Sequence, residues 1–232
     1  NQFVVSVQNH DQVGNRAHGD RLGVLTSKGR LKVAAALMLT SPFVPMLFQG
    51  EEWGAGTPFQ YFTDHADPGL GRAVSEGRRH EFAAFGWDPA YVPDPQDPRT
   101  FARSVLDWAE SRSGWHADLL AWYRTLIALR RDLPTLSDPR LDQVSADCDE
   151  RDGWLTVRRG QIAVACNLGA VAWTFPVQAD ATLLAVSDPR VRQTPDGVHL
   201  PPDTVVIVAE HRLAEHRLAE HRLAEHRGVD AR

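Results

Sequence analysis

Three groups of side chains in this 232-residue sequence have the types and spacing to do chemistry. The first is Asn9-His10-Asp11, which delivers an imidazole and a carboxylate together at the end of an apolar run, Phe3 to Val7. A carboxylate placed there can stabilise positive charge that develops during a reaction. Asp11 is therefore the leading catalytic candidate. The competing reading is a turn, because short Asp and Asn side chains hydrogen-bond nearby backbone; on the tripeptide alone it is the stronger one. The second group is Glu51-Glu52-Trp53, two carboxylates beside an indole. They could serve as acid and base with a ring to stack on a ligand, or they could hold loops together. Neighbours on a strand face opposite sides, so both glutamates could not easily reach one bond, and this favours the structural role. The third is Pro58-Phe59-Gln60-Tyr61-Phe62-Thr63-Asp64-His65, which sets three aromatics among polar groups. Sugar sites use that mixture, with ring faces for C–H surfaces and amides or carboxylates for hydroxyls. Loop packing explains it equally well.

The elements around these groups follow from pattern. Phe3 to Val7 does not alternate, so it reads as a strand buried on both faces of a parallel sheet. Catalytic groups in barrel enzymes stand at the C-terminal ends of such strands. Leu31 to Thr40, rich in Ala and Leu, predicts a buried helix stopped by Ser41-Pro42. Phe43 to Gly50 is a second apolar run, weakened as a strand by Pro45. Strand, helix and strand in succession form the repeating unit of an α/β fold. Residues 55 to 100, dense in Gly, Pro and Asp and with little periodicity, read as a long functional loop. Its Arg78, Arg79 and Arg99 read as solvated or paired charges. Ala117 to Arg131 predicts a helix with Leu119, Trp122, Leu126 and Leu129 as its core stripe. Beyond Leu133-Pro134 come short runs, 154–157, 162–167, 172–175, 182–186 and 204–208, with turn signals at Asp152-Gly153 and Asp196-Gly197. Such spacing predicts a small antiparallel sandwich.

The run from Phe3 to Gln12, with Asn9-His10-Asp11 at its end, resembles the fourth signature region of the α-amylase family of glycoside hydrolases. Its continuation through Leu22, the Phe59 to His65 stretch, and the segments from Glu76 and Asp94 are similar to one branch of it, the maltooligosyltrehalose trehalohydrolases. The resemblance implies the fold class α/β: the last two strands and helices of a (β/α)8 barrel over 1–134, then an antiparallel β-sandwich over 135–209. It implies Asp11 as the carboxylate that stabilises the transition state. His10 would donate to the sugar, with Gln12, Arg16, Glu51, Trp53, Phe59, Phe62 and Asp64 as further substrate contacts. The implied substrate is maltooligosyl-trehalose or a related α-glucan, and no metal or cofactor is implied. The two other carboxyl groups of a retaining glycosidase lie on earlier barrel strands in this family. The chain begins at Asn1, not Met, and is expected to be a C-terminal fragment that is inactive alone.

Composition narrows the alternatives. Thirty acidic against 25 basic residues leave a net charge of −5, without the basic excess that a nucleic-acid partner requires. No run approaches the ~20 apolar residues of a membrane span. With no export signal in view, Cys148 and Cys166 are expected as free thiols in the cytoplasm. Residues 210–232 repeat Glu-His-Arg-Leu-Ala; five residues overshoot a helical turn by about 140°, so the leucines form no stripe. That tail is expected to be helical or disordered, with no chelating face for its histidines. Rival readings are a glycogen-branching or debranching relative, a non-catalytic α-glucan-binding module, and a phosphohydrolase with His10 and Asp11 as metal ligands, for which no further cluster speaks.

Overall fold

The computed structural model describes residues 3–210, so all of the repeat tail except Glu210 lies outside the described residues. The chain divides into two compact units. Among the described residues, one comprises Val5–Leu31 and Pro45–Tyr123; the other comprises 3–4, Lys32–Val44 and 124–210.

Strand β1 (Val4–Val5) and strand β2 (Val44–Pro45) form a two-stranded sheet. Val44 N donates to Phe3 O at 3.0 Å and Met46 N to Val5 O at 2.8 Å. The bonds climb both strands in the same direction, so the pair is parallel. Pro45 falls between the two donors, at a position from which β1 accepts no N–H, and the strand tolerates it there. Both strands are shorter than their apolar runs. Phe3 and Val4 are 67% and 60% exposed, contrary to the expected burial on both faces. Among the described residues β2 is the one strand paired with β1, which leaves those faces little to pack against.

After β1 come two short helices, α1 (His10–Gly14) and α2 (Leu22–Leu25), and then α3 (Lys28–Thr40), which contains the expected apolar helix. The Oγ of Ser27 accepts from Arg30 N at 3.1 Å. At the other end, the guanidinium of Arg130 donates to the carbonyls of Leu39, Ser41 and Phe43 at 2.7–2.8 Å. Arg159, 2% exposed, donates to Thr40 O at 2.7 Å, to Leu136 O at 2.8 Å and to Asp138 O. Two cations thus satisfy carbonyls that a helix end leaves without intrahelical partners.

The stretch 55–100 is not the aperiodic loop expected. It contains α4 (Pro68–Ala84), whose start is set by Asp67 accepting from Gly69 N and Leu70 N, with Pro68 in the first turn. Its buried residues, Gly71, Ser75, Arg78 and Phe82, have helical spacing. Three of those four are not apolar, so a hydrophobicity pattern does not detect them. Asp97 and Pro98 open α5 (Pro98–Arg103) by the same device. Next come α6 (Gly114–Asp132), carrying buried Leu119, Trp122, Leu126 and Leu129 as expected, and the short α7 (Pro134–Ser137).

Among the described residues eight strands follow: β3 (Val144–Asp149), β4 (Trp154–Arg159), β5 (Ile162–Asn167), β6 (Trp173–Phe175), β7 (Thr182–Val186), β8 (Arg192–Thr194), β9 (Gly197–Leu200) and β10 (Thr204–Ala209). They build a five-stranded sheet in the order β3-β4-β5-β10-β7 and a three-stranded sheet in the order β6-β9-β8. Every pairing is antiparallel. Ala163, Ala165, Val206 and Val208 from the larger sheet share one core with Phe175, Val198 and Leu200 from the smaller, which makes the pair a sandwich. The strands β3, β8 and β9 were not expected. β3 carries Ser, Asp and Cys at exposed positions, and β8 and β9 are short arms of the hairpin whose turn holds Asp196-Gly197.

Candidate active site

Asp11 lies in the first turn of α1, which follows β1 after Ser6 to Asn9 and so stands on the C-terminal side of that parallel strand. The segment is a helix, not the turn that the bare tripeptide favours. Asn9 caps it: its Oδ1 accepts from Asp11 N at 3.0 Å and Gln12 N at 3.1 Å, and Gln12 Oε1 accepts from Asn9 N at 3.1 Å. Gln12 is therefore occupied by the cap. Asp11 and His10 both face solvent, with side chains 74% and 71% exposed, and pair with each other at 3.2 Å. Arg16 is exposed beyond the helix.

What holds α1 in place is Arg78, whose type alone suggests only a solvated or paired charge. It is 9% exposed, and its Nη2 donates to Gly14 O at 2.5 Å. The guanidinium carbon sits 4.8 Å from the ring centres of both Tyr61 and Phe82. Burial lowers the guanidinium pKa, with Glu81 and Tyr61 acting in the opposite direction. Arg79 and Arg99 do pair, with Asp94 and Asp97.

The stretch from Thr57 to His65 is stitched to the same region. Phe59 N donates to Gly19 O at 2.9 Å, and Gln60 Nε2 to His18 O at 3.3 Å. Gly19 has φ +69°, and a Cβ there would lie 2.5 Å from the Phe59 carbonyl carbon, so glycine is required at this crossing. Phe59 packs edge-on against Phe48 and Phe62, at 5.2 and 5.9 Å between ring centres. Phe62 and Asp64 line a cleft of about 500 Å³ together with Gln96 and Phe101.

Glu51 and Trp53 occupy a 3₁₀ turn, not a strand end, with Gly50 and Gly54 left-handed on either side. They are 4% and 2% exposed, which corrects the expectation that they touch sugar. Glu51 Oε1 accepts from the Tyr123 hydroxyl at 2.9 Å. Burial pushes the Glu51 carboxyl up to about 7, partly offset by that hydrogen bond, and raises the Tyr123 hydroxyl well above the phenol range. Trp53 packs against Trp108 at 4.9 Å, and it is Trp108, 63% exposed, that meets solvent. Buried Arg21 ties the two segments together by donating to Thr57 O at 2.6 Å and Gln49 O at 2.7 Å. The structural role favoured for the glutamates therefore describes Glu51 in this fold.

Residues 139–207, nearly all of the sandwich, match a family model described as a domain of unknown function, DUF3459. Over 186 residues, 80% of the chain, the sequence is 53% identical to a malto-oligosyltrehalose trehalohydrolase of Brevibacterium helvolum, 32% of whose length is matched. Over 208 residues, 90% of the chain, it is 49% identical to the enzyme of that name from Rhizobium sp. (strain M-11), matching 35% of it. Over most of its length the chain is similar to malto-oligosyltrehalose trehalohydrolases. It spans about a third of the length of these curated relatives. A solved Salmonella typhimurium structure given the provisional name alpha amylase is 37% identical with a TM-score of 0.74, over 89% of this chain and 35% of that one. The names of the trehalohydrolase relatives favour neither a branching nor a debranching reading. Among the described residues no helix is long and apolar enough to cross a membrane.

Proposed function

We propose that this chain is the C-terminal part of a retaining glycoside hydrolase that cleaves the α-1,4-glucosidic bond next to the terminal trehalose of maltooligosyl-trehalose, releasing trehalose. Residues 1–134 would complete its barrel and 135–209 form its sandwich. The observation that carries the reading is Asp11, presented beyond a parallel strand in a chain half identical to trehalohydrolases.

In such a reaction the anomeric carbon gains positive charge as the leaving oxygen departs. A fixed carboxylate favours that state over the neutral substrate, and this is the role proposed for Asp11. The exposed imidazole of His10, whose Nε2 lies 3.2 Å from Asp11 Oδ1, would turn that N–H to a sugar hydroxyl when substrate is bound. Retention further requires a nucleophile and an acid on opposite sides of the bond, with carboxyl groups about 5–5.5 Å apart. Glu51, the buried partner of Tyr123, is withheld from either part. The reading accordingly has the remaining two carboxylates supplied by sequence matching the other two thirds of the relatives. With its free thiols Cys148 and Cys166, the protein would work in the reducing cytoplasm.

Incubating this chain with maltooligosyl-trehalose and measuring released trehalose tests the assignment of roles. No turnover is expected. Turnover abolished by Asp11→Asn would overturn the division of labour, because Asp11 would then be acting without the two partners.

A further inference from the structure

We propose that Glu51 is a positioning residue for Asp11, acting through the side chain of Gln8 and through one water molecule lodged between Glu51 and Arg21. The inference rests on the reading of Asp11 as the stabilising carboxylate and adds what keeps that carboxylate in register.

Gln8 is the last residue before the cap of α1. It is 6% exposed, and its Oε1 accepts from Leu22 N at 3.0 Å. Asn9 follows directly, and its Oδ1 holds Asp11 N and Gln12 N. A displacement of Gln8 is therefore passed on to Asp11 through one capping side chain. Gln8, Arg21, Leu22, Glu51 and Tyr123 line a single small cavity. Glu51 is fixed on its wall by the Tyr123 hydroxyl, which donates to Oε1. Burial raises the Glu51 carboxyl; Tyr123, the Phe48 backbone and Gln8 act in the opposite direction, the last as a donor aimed at the carboxyl, and Glu52 adds to the rise.

Two polar atoms supply the second observation. Among the described residues Arg21 Nη2, a donor, and Glu51 Oε2 have no hydrogen-bond partner, and buried polar groups are rarely left so. Both residues line the cavity, which measures about 10 Å³. One water requires roughly 10–15 Å³ and about two to four polar partners. Here it would accept from Nη2 and donate to the ionised Oε2, or accept from both once Oε2 carries the proton. The other donors of Arg21 hold Thr57 O and Gln49 O, so its guanidinium is anchored independently of Glu51. Arg21 precedes Leu22, and the water thereby closes a ring of Glu51, Arg21, the Leu22 N–H and Gln8. That ring grips the segment leading to Asp11 from two sides.

The test has two arms. In this chain alone, amide exchange is followed at Leu22, Asp11 and Gln12, with the amides paired between β5 and β10 as reference. Glu51→Ala and Gln8→Ala should each speed exchange at those three amides about ten-fold or more relative to the reference. A long-lived water should also give Overhauser contacts to the amides of Leu22 and Gly23 on the cavity wall, lost in Glu51→Ala. In the Brevibacterium helvolum trehalohydrolase whose matching third is replaced by this chain, the same two variants should each lower kcat about ten-fold or more with KM within about three-fold, because misplacing a group costs rate before it costs binding. Their double variant should lose little more than the larger single loss, as residues acting along one path do. Glu51→Gln, assayed near pH 6, where a carboxyl raised to about 7 is mostly neutral and glutamine offers the same acceptor and donor, should keep kcat within about three-fold.

Exchange that rises no more than the reference, a Glu51→Ala kcat within about two-fold of its parent, or additive losses in the double variant would overturn the positioning role. Absence of the Overhauser contacts would overturn the water link. Gln8→Ala decides both arms if Glu51→Ala does not fold. Asp11→Asn, run alongside, separates the inference from the reading beneath it. A large loss of kcat there with none in Glu51→Ala would sink the inference alone, whereas an Asp11→Asn enzyme that keeps its kcat would sink both.

Discussion

Substituting Arg78 should release the helix that carries Asp11. Three interactions are lost in Arg78→Met: the buried hydrogen bond to Gly14 O and the contacts with the Tyr61 and Phe82 rings. A hydrogen bond from a charged donor contributes about 1.5–3 kcal/mol, and its loss leaves a buried carbonyl unsatisfied. The ring contacts add about 1 kcal/mol, or more where the cation is desolvated. Methionine recovers part of the stem's packing, so the net loss is about 3 kcal/mol. With a urea dependence near 2 kcal/mol per molar, the unfolding midpoint would fall by about 1.5 M. Arg78→Lys keeps the charge without the planar guanidinium and should recover only part of the loss. Urea titration followed by tryptophan fluorescence measures the midpoint, and amide exchange at Val13 and Asn15, whose N–H groups bond to Asn9 O and Asp11 O, reports on the helix itself. A midpoint within about 0.25 M of wild type, with exchange at those two amides unchanged, would refute the view that Arg78 holds α1 in place.

Two further outcomes follow from buried groups. Burial raises the Glu51 carboxyl from 4.5 to about 7, so its contribution to stability is fully present below pH 4.5 and is lost as pH rises through 7, a change of roughly 3 kcal/mol. Glu51→Gln should flatten that part of the pH–stability profile, measured as unfolding free energy between pH 4 and pH 8 (about two units either side of the midpoint of the window). Asp97 and Asp138, held low by their arginines, slope the other way but are common to both proteins and cancel in the difference. An equal slope in wild type and Glu51→Gln would show that folding leaves the Glu51 carboxyl unshifted. The thiols should also separate. Cys148 is exposed on β3, whereas Cys166 is fully buried on β5 with its thiol pushed up to about 12. An aromatic disulfide reagent should therefore titrate one thiol in the native chain and the second only after denaturation.

How much of this was legible in the sequence depends on what each residue signals. The core of α3 and the stripe of α6 were visible because their buried positions are apolar and helically spaced, and β5 and β10 because they are continuous Val, Ile and Ala. α4 was hidden because its inward face is Gly71, Ser75 and Arg78, residues that a search for apolar periodicity counts as outside. The pair Asp67-Pro68, an N-cap followed by the one residue that fits the first helical position, was the available signal. The same pairing, Asp97-Pro98, marks α5.

The site was legible in part for the same reason. Asn9-His10-Asp11 announced itself through an apolar run and a family wording, and Phe62 and Asp64 through aromatic and polar neighbours. Their supports, Arg21, Arg78 and Gln96, are polar residues whose role depends on partners 28 to 64 positions away in sequence, and local pattern does not report that. Glu51 and Trp53 were misassigned because Glu-Glu-Trp after a strand looks the same whether it faces a ligand or the interior. The flanking Gly50 and Gly54, both left-handed, fold it inward.

The central claim is that Asp11 stabilises the transition state of glucoside cleavage. Its most direct measurement is turnover of maltooligosyl-trehalose by the Brevibacterium helvolum trehalohydrolase in which the matching third is replaced by this chain, with and without Asp11→Asn. The exchange removes one preorganised charge and leaves shape intact, so kcat should fall about 100-fold or more while KM changes only a few-fold. A kcat for the Asp11→Asn chimera within two-fold of its parent would contradict the account.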